Sequence, residues 1–407
     1  MQEEHKFMNQ HFEQCRQLAL EILKPSKAEL THGLELHQDA LVWDAYGFAP
    51  SGECPGTLID QMLEEGAGRD ERITRYEQYL QVDFLRDPAL FALYREAWEL
   101  SGVDCVFQNA GVEGNSIPEL LKRLSRFTYL PDRYPELYQR AAFPSQVEAA
   151  KAAGRRALYL TTNGVCLPDF LRSEEEALEQ LTVFFQLGVR MMHLTYNRRN
   201  LIGDGCAEPN DGGLSSFGRN VVAAMNRTGI IPDVAHSGQR TSLEAALCST
   251  KPVVASHTVA GALSKHYRGK SDEVIRAIVK SDGYVGVCAI PWFLRRSGMI
   301  DSLLDHIDYL VENFGAAHVA IGTDNGTRVG EVKPGLLKSK ARPIFEQFWT
   351  PPIDPFDSTP EMMNSMTWTN WPLFTVGLVQ RGHSDSDIRK ILGGNVQRVA
   401  SETVKGI

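Results

Sequence analysis

The strongest constraint on the fold of this chain is a repeated alternation of short apolar, β-like runs with helix-period segments. The runs are residues 34–42, VDCVF (103–107), RALYL (156–160), VRMMHLTY (189–196), IIPDVAH (230–236), PVVASH (252–257), YVGVCAI (284–290) and HVAIGTD (318–324). Between them lie stretches such as SEEEALEQLTVFFQLG (173–188) and SLEAALCST (242–250). Strands alternating with helices at this spacing pair in parallel, and eight repeats imply closure into an α/β fold, the (β/α)8 TIM barrel. A doubly wound open sheet competes, but no glycine-rich phosphate loop follows the first run. The 407 residues fall within the range such barrels reach, so 1–407 reads as one barrel domain. An N-terminal helical extension (1–30) precedes the barrel, its helix over 6–24 stopping before Pro25. Residues 57–100 read as helical, 326–365 as a long loop near the site, and 366–407 as C-terminal helices packing on the barrel.

Charge and cysteine usage exclude several function classes. A net charge of −9 is the wrong sign for a nucleic-acid binder. Seven cysteines, scattered with no CxxC pair, fit a reducing compartment better than a disulfide framework. No run approaches the roughly 18 apolar residues a membrane span requires, and the N-terminus lacks the apolar core of a secretory signal. A cytoplasmic protein acting on a small molecule, with no membrane or nucleic-acid partner, is the expectation.

Several runs end in a residue able to ligate a metal: His37 and Asp39, His236, His257 and Asp324. Barrel enzymes of this class carry their sites at the C-terminal ends of the strands. On a strand, His37 and Asp39 at i and i+2 would share a face and point into the barrel mouth. Imidazole and carboxylate together suit zinc or a similar divalent ion. Singly, a histidine or aspartate at a strand end is most often a hydrogen-bonded structural residue. Five of them on four runs point instead to a metal-dependent hydrolase.

The chain also resembles the membrane (renal) dipeptidase family of amidohydrolase-like metallopeptidases. The resemblance rests on FQLGVRMMHLTYNRRN, GGLSSFGRNVVAAMNRTGIIPDVAHSG, PVVASHTVAGAL, HYRGKSDEVIRAI, VAIGTDNG and TNWPLFTVGLVQRGHSDSDIRKILGGNVQRV. It implies a first metal held by His37, Asp39 and Asp324 and a second held by His236 and His257. It implies that Arg268 grips a substrate carboxylate, a task suited to a guanidinium fork; otherwise Arg268 is a surface ion pair with Asp272.

Two positions depart from the family pattern. Asn163 stands where the family has a glutamate bridging both metals, and a neutral amide is a poor bridge. Tyr196 stands where the family has a substrate-site histidine, and a phenol can still donate to a developing oxyanion. Glu113 could supply another carboxylate, although a loop role suits its position better. Without a bridge, a second dication gains repulsion from the first, so one tightly bound Zn2+ is expected.

These expectations assign hydrolysis of a dipeptide-like amide, with Asp324 as general base and Tyr196 as oxyanion donor. The alternatives are a mononuclear amidohydrolase acting on a non-peptide amide, lactone or N-acyl amino acid, and a catalytically silent binding protein. Related barrels often pair, which makes a homodimer the oligomer to test. His193 reads as packing away from the site, because odd spacing separates it from Tyr196. His306, Trp368, Trp371 and Asn395 read as structural.

Overall fold

The computed structural model describes residues 2–111, 116–168, 172–330 and 356–407, with the side chains of 2–7 and 9 set aside. Eight parallel strands form its centre: β1 (Trp43–Gly47), β2 (Cys105–Asn109), β3 (Arg156–Thr162), β4 (Val189–His193), β5 (Ile231–Asp233), β6 (Ala255–Ala260), β7 (Val285–Val287) and β8 (Val319–Ile321). Pairing runs in sequence order from β1 to β5 and again from β6 to β8. Backbone bonds join the two remaining seams. Val234 N donates to Val254 O and Val254 N to Pro232 O, linking β5 to the approach to β6. Asp324 N donates to Tyr46 O and Phe48 N to Asn325 O, linking the end of β8 to β1. The sheet is a (β/α)8 barrel.

Strand periodicity sorts the side chains into two layers. Trp43, Cys105, Phe107, Ala157, Tyr159, Met191 and Ile231 pack together inside the barrel. Val106, Leu158, Met192, Val285 and Val319 join the apolar faces of the surrounding helices. The parity that turns Met191 and Ile231 inward also turns inward the residues two further on, His193 and Asp233.

The structure corrects the first strand. Residues 34–42 are not β: 34–39 continue a helix that starts at a Ser26–Glu29 capping box, and 40–42 lead out of it without regular structure. That helix, α2 (Lys27–Asp39), follows α1 (Gln2–Leu23). Leu30, Gly33, Leu34 and His37 lie at helical spacing, and Gly33, Leu36 and His37 are buried. The strand begins only at Trp43. The observed α2 packs on α3 (Trp371–Gln380), where a Cβ on Gly33 would meet Val376 Cα at 2.7 Å.

Elsewhere the helices over Gly56–Glu64, Arg69–Gln81 and Pro88–Ser101 fill the stretch read as helical. Most of the expected loop, 331–355, lies outside the described residues, as does Glu113. Trp368 is fully buried, donating to Asp44 and meeting Trp98 edge-on. Asn395 donates to the carbonyls of Ala316 and Val319, and His306 bridges Ala260 N and Leu294 O. Among the described residues no helix is long and apolar enough to cross a membrane.

Candidate metal centre and cleft

Moving the first strand removes His37 and Asp39 from the barrel mouth. His37 is buried on α2, its Nε2 donating to Ser101 O at 2.9 Å and its Nδ1 accepting from Thr375 Oγ1 at 2.7 Å. Both ring nitrogens are therefore committed to packing α2 onto its neighbours, and burial lowers the imidazole pKa to about 4. Asp39 is at the surface, 73% exposed, and its carboxylate pairs with Arg389. Neither residue contributes to a site.

The strand end β1 instead brings Tyr46 to the mouth. A register irregularity between Asp44 and Gly47 re-aims the chain there, and Tyr46 packs with the interior layer. Its hydroxyl donates to Asn163 Oδ1 at 2.6 Å, and its ring stacks on His257 at 3.8 Å between centroids. Burial, then the charge of Asp324, keeps the phenol well above its usual range and hence neutral. A neutral Tyr46–Asn163 pair thus stands where the resemblance implies a bridging carboxylate.

Asn163, Tyr196, His236 and Asp324 converge with Tyr46, each from just past a strand end, on a cleft of about 250 Å³. Asp324 holds the left-handed backbone conformation at φ +52°, which aspartate tolerates better than most residues. Burial raises its carboxyl to about 6 against the opposing pull of Arg268 and then His193. The Tyr196 ring stacks on His236 at 4.1 Å, and burial raises its phenol above the usual range. Phe48, Gln81, Gln108, Asn109 and Arg123 complete the lining, Gln81 and Arg123 coming from helices inserted between β1 and β3.

Arg268 is not on the surface, as an ion pair with Asp272 would require. It is fully buried behind the histidines: Nη2 donates to His257 O at 2.7 Å and the guanidinium lies over Phe293. The Asp272 carboxylate accepts from Tyr309 instead.

The hydrogen-bond network assigns protons on two histidines. Ser256 Oγ spends its single proton on Asp233 Oδ2, so it can only accept from His257 Nδ1, 2.8 Å away. His236 Nδ1 lies 2.7 Å from Asn197 Oδ1, an acceptor that also takes the Cys206 thiol. Both rings therefore carry their proton on Nδ1, and the two unprotonated Nε2 atoms face each other at 3.0 Å. Arg268 Nη1 lies 3.0 and 2.9 Å from Nδ1 and Nε2 of His236 and, with Nδ1 protonated, donates to Nε2. The Arg268 guanidinium opposes the repulsion between these lone pairs, a task that a bound cation would also perform. Two ligands each about 2.0–2.1 Å from one tetrahedral ion lie about 3.3–3.4 Å apart, so a few tenths of an ångström of opening would admit an ion. Burial first, then the charge of Arg268, holds both imidazoles well below their usual pKa, the form that binds metal. The donor set fits a divalent ion.

Two further donors escaped the sequence reading. His193, Asp233 and His257 each offer a ligand atom within 4.8 Å of the others, all buried. Spacing from Tyr196 turns His193 away from the site, but β4 ends at His193 and Tyr196 lies beyond it, where strand parity no longer holds. Counting from the apolar Met191 gives the correct face.

A parallel barrel with buried histidine and aspartate gathered at its C-terminal mouth defines an amidohydrolase-like architecture. The chain belongs to the membrane dipeptidase family, peptidase family M19, whose profile matches residues 90–341, more than half of it. Dipeptidase tcpJ of Claviceps purpurea is 28% identical over 228 residues, 54% of this chain and 46% of that protein. Dipeptidase verJ of Clonostachys rogersoniana is 26% identical over 291 residues, covering 70% and 65% of the two chains. The chain spans about half the length of the first two curated relatives it matches. Among solved structures, an amidohydrolase from Pseudomonas aeruginosa superposes with a TM-score of 0.69 at 26% identity, covering 91% of this chain and 98% of that one.

Proposed function

We propose that this protein is a metal-dependent hydrolase that cleaves the amide bond of a small dipeptide-like substrate at the barrel mouth. The observation that carries the reading is the pair of facing imidazole nitrogens at the base of the Asp324-lined cleft, in a chain of a dipeptidase family. Zinc is the ion proposed, since an imidazole-rich set with a carboxylate nearby suits it. When bound, it would supply Lewis acidity to activate water and polarise the carbonyl.

The chain's own groups supply the rest. Asp324 takes the proton of the attacking water and passes it to the leaving amine. Tyr196, kept protonated, donates to the oxygen that gains charge at the tetrahedral stage. Arg123 recognises the substrate carboxylate, because it lines the cleft whereas Arg268 is sealed behind it. It spends Nε and Nη2 on Glu77, leaving Nη1 donors for a ligand. The seven unpaired cysteines fit a reducing, cytoplasmic setting.

The neutral Tyr46–Asn163 pair favours a second reading, a mononuclear amidohydrolase acting on N-acyl amino acids, other amides or lactones. One panel separates the two: L-L and L-D dipeptides against N-acyl amino acids and lactones, with zinc supplied. Dipeptide turnover that falls at least about 1,000-fold in Asp324→Asn, with the fold retained, is expected. Turnover of N-acyl substrates alone would move the assignment to the second reading. No turnover of any member by metal-loaded protein would leave a binding protein. For Arg123→Leu, KM for dipeptides should rise about tenfold or more with kcat little changed, and dipeptide amides should show no such rise. An equal rise for the amides would sink the carboxylate role.

A further inference from the structure

We infer that the Asn163 side-chain amide is a hydrogen-bond donor to the oxygen that gains charge during hydrolysis, and that Tyr46 is the residue that positions it. The inference rests on the hydrolytic reading of the cleft above and deepens it by adding a catalytic residue. It applies to amide and lactone substrates alike, since both pass through a tetrahedral oxyanion.

Three observations converge. The first is that its partner determines which way the amide faces. The Tyr46 hydroxyl lies 2.6 Å from Asn163 Oδ1, a length ordinary for an O–H···O bond and short for an N–H···O bond. The phenol is neutral, and among the described residues its proton has no other acceptor. Turning the amide over would leave that proton unpaired with an N–H group set against it. The amide oxygen therefore faces Tyr46, and Nδ2 points away from it.

Second, Nδ2 is a donor held ready for a ligand. Among the described residues it has no acceptor, yet it is not one of the polar atoms sealed from solvent. Asn163 is only 5% exposed and lines the cleft, so what remains open of it faces the cleft. The chain behind it is fixed: Asn163 N donates to Gly111 O at 3.1 Å, and Thr162 Oγ1 to Gly164 O at 2.7 Å. An amide held by its oxygen and its backbone, with its N–H groups left for the substrate, is preorganised, and preorganisation is what makes such a donor effective.

Third, its place on the barrel gives it suitable neighbours. Asn163 follows β3 and Tyr196 follows β4, so consecutive strand ends carry two neutral donors into one cleft. Asp324, the base towards water, follows β8, four strands further round. Donors and base thus meet the reacting carbonyl from different sides of the mouth. A carboxylate at position 163 could only accept, and it would repel the developing charge. The amide reverses both effects.

The test uses the zinc-loaded full chain, its best substrate, and a phosphinate dipeptide analogue whose charged oxygens imitate the tetrahedral stage. Asn163→Ala, with wild-type circular dichroism, should lower kcat about 100-fold or more with KM little changed, and should weaken phosphinate binding in calorimetry by a similar factor. Tyr46→Phe, which frees the amide to turn, should lower kcat about tenfold and cost nothing further in the Asn163→Ala background. Should Asn163→Ala fail to fold, Asn163→Asp decides: it is isosteric, still accepts from Tyr46, and should show the same losses. An Asn163→Ala kcat within about threefold of wild type, undiminished turnover in Asn163→Asp, or losses that multiply in the double variant overturn the inference. Phosphinate binding that is absent, or indifferent to Asn163, overturns it whatever the turnover. Phosphinate binding that depends on Asn163, without hydrolysis of any substrate, would end the hydrolase reading while leaving Asn163 as the oxyanion donor.

Discussion

Histidine 37 shows how completely a residue's surroundings set its chemistry. Its two nitrogens accept from Thr375 and donate to Ser101 O, so it works as a neutral clamp between α2, α3 and the helix ending at Ser101. Replacing it with phenylalanine should cost about 2–4 kcal/mol, because the buried Ser101 carbonyl and Thr375 hydroxyl would lose their partner. Denaturant unfolding checks the cost, and zinc content should not change; loss of the metal would restore His37 as a ligand. The same clamp makes a pH prediction. The folded imidazole resists protonation down to about 4, whereas an unfolded one protonates near the ordinary 6.5. Between those values the unfolded chain binds more protons, so this contribution is present above 6.5 and is lost as pH falls towards 4. Unfolding midpoints should decline over that window more steeply in wild type than in His37→Phe. Equal slopes would show that His37 carries no such linkage.

At the scale of elements, the chain's first strand and second helix were separable by period, but only just. The segment ELTHGLELHQD carries both an HxD spacing and a 3.6-residue apolar repeat through Leu30, Leu34 and His37, and the helical repeat prevails because α3 supplies a surface for it. Gly33 is where the two helices approach most closely. Gly33→Ala should gain up to about 1 kcal/mol of helix propensity and lose more than that, because the new methyl would meet Val376 Cα at 2.7 Å. A lowered unfolding midpoint is expected in a thermal scan, and a raised one would show that α2 and α3 are free to separate. Glu77 pairs with Arg123 and Arg126, tying the helix over Arg69–Gln81 to the one over Ile117–Arg133. That link between two inserted helices is what holds Arg123 at the cleft. Sequence showed helical character there but gave no means to see which arginine would face the barrel mouth.

At the scale of the whole molecule, the proposed ion would tie β6, through His257, to the turn after β5 that carries His236. Binding only to the folded chain, zinc at about a hundred times its Kd should add about 2.7 kcal/mol of stability. The unfolding midpoint of chelator-treated protein should therefore rise on zinc addition, and identical midpoints with and without zinc would argue that the histidines hold no ion. The chain's own pattern was enough to determine the barrel, because strand and helix periods are local and eight repeats leave few ways to bury their faces. It was also enough to bring Asn163, Tyr196, His236, His257 and Asp324 towards one mouth, since each lies in or just past a strand with a legible pattern. Only the tertiary structure decided that Tyr46 replaces the HxD pair, that Arg268 is sealed while Arg123 is presented, and that His193 and Asp233 face inward. Those outcomes depend on where a strand begins and ends and on which surfaces cover it. A shift of a few residues there changes helix to strand or inside to outside, and the energy that fixes it comes from neighbours distant in the chain.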